Sequence, residues 1–180
     1  MCVSTTASKL FTDCLEVELN ALGNLTIMAG ELIIDKRKIE AYEQLAGCQA
    51  YTNYLTRLAV YGSDAEILTA LLIDLPVWGA NCSRISSILK KNYGFSEKSC
   101  IFWDKFACPL PEQFINKSKE LIEIAILERE KCLHTAARLI LDYELCFWDT
   151  IYKHSIITWS NCQELTSAEN SIVDMKRWFR

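Results

Sequence analysis

The chain has 180 residues, 51% of them hydrophobic, and a formal net charge of -4 from 19 Lys plus Arg against 23 Asp plus Glu. That size supports one core and requires no second domain, and the charge balance lacks the basic footprint that nucleic acid or anionic lipid demands, so neither is expected as a partner. Apolar runs such as Ile67 to Ile73, closed by Asp74, fall well short of the ~20 residues of a spanning helix, which argues for a soluble protein with no membrane partner.

In chain order, a small polar start gives way to an apolar-rich stretch, Ser8 to Ile33, that reads as helix. Gly23-Asn24 is its expected weak point or break. Charged residues from Asp35 to Tyr42 suggest a loop and a short helix or irregular link. From Cys48 to Tyr61 the helical period returns, with Tyr51, Tyr54, Leu55 and Leu58 on one face and Gly62 as the stop.

Ser63-Asp-Ala-Glu66 has capping-box spacing and opens the longest uninterrupted helix, expected to end at Gly94. Its stripe is Ile67, Leu71, Leu75, Trp78, Cys82, Ile85 and Leu89. Pro76, opposite the stripe, removes an amide and should kink the helix. Asp74, at the stripe's edge, reads equally as a solvated edge residue or as a carboxylate lining a pocket.

Residues 96–106 suggest a short helix presenting Phe102, Trp103 and Phe106, ended by Pro109-Leu-Pro111. A further helix starts at Pro111, and Glu128 to Lys131 forms either a solvated junction or a continuation into the final helix, expected to reach about Lys153. In that last helix Leu133, Ala136, Ala137, Ile140, Phe147 and Ile151 share a face, and Glu144 falls inside it. A carboxylate on an apolar face is paired, hydrogen-bonded or cavity-lining, because a bare buried charge is too costly. Residues 154–180 become rich in Ser, Thr and Asn and read as an extension or tail with a possible helix over 167–179, beside a single domain over 1–153.

No strand alternation, glycine-rich phosphate loop or internal repeat interrupts this all-α pattern. Nine cysteines, an odd number without a C-x-x-C pair or signal peptide, point to a reducing cytoplasm and to cysteines used as small apolar residues. Only His134 and His154 are available for a histidine metal site, so no metal is expected. The Asn-x-Ser/Thr triplets at Asn24, Asn81 and Asn116 read as chance matches.

Ala50-Tyr-Thr-Asn-Tyr-Leu55, Ala70-Leu-Leu72, Phe102-Trp-Asp-Lys-Phe106 and Tyr143-Glu-Leu-Cys-Phe-Trp-Asp149, in this order and spacing, resemble the TenA (thiaminase II) family of haem-oxygenase-like, PqqC-related helical bundles. The resemblance covers about residues 10–153, and its most specific element is Tyr-Glu-x-x-Phe-Trp. It implies hydrolysis of thiamin or a related aminopyrimidine in thiamin salvage, without metal or organic cofactor. The family's acid/base glutamate carries over to Glu144 and its pyrimidine-contacting tyrosine to Tyr51. Its nucleophilic cysteine falls on Asp74 and a following pocket tyrosine on Trp78.

Two departures accompany these matches. A carboxylate at position 74 serves as a base or hydrogen-bonding group, not as a thiolate nucleophile, and Cys82 lies two turns too far along to replace one. Nothing in residues 1–40 matches the family's Gln-Asp-Tyr-like element, so the bundle is expected to lack or shorten its first helix. The expected site is therefore Glu144 and Asp74 as catalytic groups, with Tyr51, Tyr54, Trp78, Phe102, Trp103 and Phe147 around the ligand. A non-catalytic pyrimidine-binding or regulatory protein on the same fold is the alternative, and self-association is expected in either case.

Overall fold

A computed structural model describes residues 4–163, with side chains to residue 156. Six helices follow one another among the described residues: α1 (Thr5–Glu31), α2 (Lys36–Glu40), α3 (Ala46–Tyr61), α4 (Asp64–Tyr93), α5 (Ile101–Phe106) and α6 (Glu112–Gln163). No strand occurs among the described residues. The all-α expectation is met, with α6 as the element against which α3, α4 and α1 pack. The suggested helix at 167–179 lies outside the described residues.

Local chemistry accounts for most boundaries. The Ser63 hydroxyl accepts from the Glu66 amide at 3.4 Å while the Glu66 carboxylate accepts from the Ser63 amide at 3.0 Å, completing the capping box at the start of α4. Gly94 ends α4 at φ 69°, a left-handed conformation open to glycine without steric cost. Gly62 ends α3 differently, in an extended conformation. Asp35 caps α2, and Pro111 immediately precedes α6, its carbonyl accepting from Ile115.

Two expectations are corrected. Helix α1 runs unbroken through Gly23. Buried Ala7, Ala21 and Met28, with half-buried Cys14, recur every seven residues and hold one seam against the bundle, which outweighs the ~1 kcal/mol cost of an internal glycine. Helix α4 runs as one helical span through Pro76, as the uninterrupted reading had it, whereas α6 is interrupted at Arg129 (φ -131°, ψ 15°), where the sequence left junction and continuation both open. The last helix also extends past Lys153 to Gln163.

The core centres on Tyr54, Leu58, Ala70, Ala136 and Ile140, contributed by α3, α4 and α6. Gly47 and Gly79 set how closely the helices approach. A Cβ on Gly47 would lie 1.9 Å from Thr150 Oγ1, so glycine lets α3 close on α6. A Cβ on Gly79 would lie 2.6 Å from the Phe106 carbonyl oxygen, so glycine lets the end of α5 sit directly on α4. Helix α4 is long and apolar enough to cross a membrane by length and composition. Its buried Glu66 and Asp74 and its packing against α3, α5 and α6 are those of a central bundle helix.

A candidate active site at a buried carboxylate pair

Asp74 is fully buried and Glu144 is 2% exposed. The buried face of α4 runs through Ala65, Leu68, Asp74, Cys82 and Ser86, rotated from the expected stripe, whose other members are only half-buried. Asp74 is therefore enclosed by the bundle rather than left at a solvated edge. Tyr51, on α3, donates its phenolic hydrogen to Asp74 Oδ2. Asp74 Oδ1 is buried without a donor from any N–H or O–H group.

Glu144 Oε1 accepts two hydrogen bonds, from Trp148 Nε1 at 3.0 Å and from Asn81 Nδ2 at 3.3 Å. Burial is the main cause that pushes the Asp74 carboxyl up to about 7; the Tyr51 hydrogen bond opposes it, and the charge of Glu144 and a side-chain hydrogen bond with Glu144 reinforce it. The donor-less Oδ1 and this coupling agree if a proton is shared between the two carboxyls, since neither carboxylate can donate to the other without one. The Tyr51 hydroxyl is held far above the usual phenol range, first by burial and then by the charge of Asp74, so it is a permanent donor. Buried Cys82 is pushed up to about 12 by burial and by Glu144, which makes it a poor thiolate.

Aromatic side chains form one wall. Trp78 stacks on Trp148 with ring centroids 5.2 Å apart and planes 30° apart, and also meets Phe147 at 5.9 Å and Phe106 at 6.2 Å. Phe102 packs behind Phe106 at 5.0 Å. Tyr54 instead stacks on Tyr143 within the core, and Trp103 points its indole N–H at Met28 Sδ on α1, 3.4 Å away. The structure therefore brings together Tyr51, Asp74, Trp78, Glu144 and Phe147, and puts Tyr54 and Trp103 elsewhere.

Asn81 and Trp148 were missed as site residues. The signal for Trp148 was its i+4 spacing from Glu144, and for Asn81 its place two turns beyond Asp74 on the same helix. A cavity of about 600 Å³ lies between α1, α4, α5 and the start of α6, lined by apolar groups including Leu10, Leu75, Phe102 and Phe106, with Lys9, Asp13 and Glu18 among its polar groups. None of Tyr51, Asp74, Trp78 or Glu144 lines it. It adjoins the pair through Phe106, which touches Trp78, and through Glu18, whose charge acts on Tyr51. The carboxylate pair is the better candidate for chemistry, because two buried carboxyls there are held by fixed hydrogen-bond donors.

A bundle of helices enclosing a carboxylate pair, with an aromatic wall on one side, is the class of protein that this fold and site define. The chain belongs to the TENA/THI-4/PQQC family, which matches it over residues 4–154. Searches of curated proteins and of solved structures return no significant match.

Proposed function

We propose that the protein hydrolyses a thiamin-related aminopyrimidine, with Glu144 protonating the departing amine and Asp74 orienting the attacking water or the ring's amino group. The single observation that carries this reading is the buried Asp74–Glu144 pair, one member held by a permanent tyrosine donor and the other by two N–H donors. Two carboxyls in different hydrogen-bonding surroundings divide acid and base roles between them. Water adds its oxygen to the carbon bearing the amine, the C–N bond breaks, Asp74 takes the water's proton, and Glu144 supplies one to the amine. Family membership supports the aminopyrimidine as substrate class, and the matching motif elements support Glu144 as the acid.

The test is amine release from an aminomethyl-pyrimidine. Glu144→Gln should lower the rate by about 10²- to 10⁴-fold, the usual worth of a general acid. Equal rates in the two proteins refute the assignment. A second reading, a pyrimidine-binding protein without turnover, is favoured by the aspartate at the position where the family's cysteine falls and by the high Cys82 thiol. It requires thermal stabilisation by the pyrimidine with no product formed. Under either reading, a small-molecule ligand and a homo-oligomer are the proposed partners.

A further inference from the structure

We infer that Asn81 and Trp148 are positioning residues that hold Glu144 by a single oxygen, Oε1, and so reserve Oε2 for exchange of the proton with Asp74 and the ligand. This rests on the reading of Glu144 as the acid. The geometry is specific in three respects. Both donors, the Trp148 indole N–H and the Asn81 amide, converge on Oε1, at 3.0 and 3.3 Å. The indole that supplies one of them cannot turn freely, being stacked on Trp78 and set edge-on to Phe147 at 5.1 Å. The amide that supplies the other stands on α4, seven residues beyond Asp74, so the helix that carries one carboxyl also sets the orientation of its partner. The two fixed donors orient the carboxyl plane, as supporting hydrogen bonds do for a group that must deliver a proton in one direction.

The titratable groups around the pair are Tyr51 from α3 and Asp74 and Cys82 from α4, with Glu18 of α1 acting on Tyr51; α5 contributes Phe106 against Trp78. Asn81 and Trp148 are uncharged, so their removal changes hydrogen bonding without adding a charge. N–H donors favour the anion, so loss of either one moves the titration of the pair upward.

The experiment compares the full-length protein with Trp148→Phe, which keeps an aromatic ring, and Asn81→Leu, which keeps similar bulk. Amine release from an aminomethyl-pyrimidine is followed from pH 5 to 9. The expected result is a kcat lower by about tenfold or more, a KM within about threefold, and the basic limb of the profile, which reports the acid, about one pH unit higher, the size of one hydrogen bond to a charged group. A purely structural role lowers the melting temperature without moving the pH profile, and that outcome overturns the inference. In parallel, carbon-13 NMR of carboxyl-labelled glutamate follows Glu144 directly, its signal assigned by loss in Glu144→Gln. If the wild type releases no amine, the hydrolase reading fails on its own, and an unchanged Glu144 midpoint in Trp148→Phe separately refutes the positioning role. Should Asn81→Leu fail to fold, Trp148→Phe decides the question.

Discussion

Asp74 is the residue whose environment departs furthest from what its type prefers, and the departure has a sign. Its carboxyl titrates near 7 in the folded chain and near 3.8 ordinarily, so between those values the folded protein binds more protons than the unfolded one. Its contribution therefore favours folding at low pH and is lost as pH rises toward 7. Asp74→Asn should abolish that dependence while keeping the bonds, because an amide oxygen still accepts from Tyr51 and an amide N–H₂ donates toward Glu144. The variant is expected to melt higher than wild type at pH 8, with the gap closing toward pH 5; a gap independent of pH would refute the assignment. Both carboxylates were visible in the sequence as anomalies, Glu144 inside an apolar face and Asp74 at the edge of one. Their polar partners were less visible, since Asn81 and Trp148 look ordinary until the helices are brought together.

At the scale of single elements, caps and close contacts decide where the site's side chains point. Glu66 takes hydrogen bonds from the Ser63 amide and hydroxyl and from Arg129 Nη1 at 3.1 Å, so one carboxylate starts α4 and ties it to the irregular turn of α6. Glu66→Ala should cost about 2–4 kcal/mol in denaturant unfolding, more than a cap alone, because Arg129 also loses its partner. Gly79→Ala drives a methyl into the Phe106 carbonyl and should cost about 1–3 kcal/mol. It should also change tryptophan fluorescence, since Phe106 packs on Trp78. The capping box and Gly94 were legible because they depend on a few neighbouring residues. The continuity of α1 through Gly23 was not, because it depends on a seam made with other helices.

For the molecule as a whole, the core shared by α3, α4 and α6 carries the stability. Ile140→Ala, at a fully buried position, should cost about 2–5 kcal/mol in equilibrium unfolding. Helix α1 contrasts with that core: Leu15, Leu19 and Leu22 are 58%, 63% and 64% exposed. Apolar surface on this scale favours association, so light scattering is expected to give a mass above the 20.6 kDa chain; a monomer at micromolar concentration would refute this.

The sequence by itself determined the helical class, the starts and stops of most helices and the two acidic positions, because periodicity, capping and the cost of a buried charge are properties of neighbours along one helix. Tertiary structure alone decided that Asp74 is fully enclosed, that Trp148 and Asn81 meet on one oxygen of Glu144, and that Tyr54 and Trp103 turn elsewhere. Those outcomes depend on how closely and in what rotation the helices pack, which Gly47 and Gly79 permit through contacts distant in the chain.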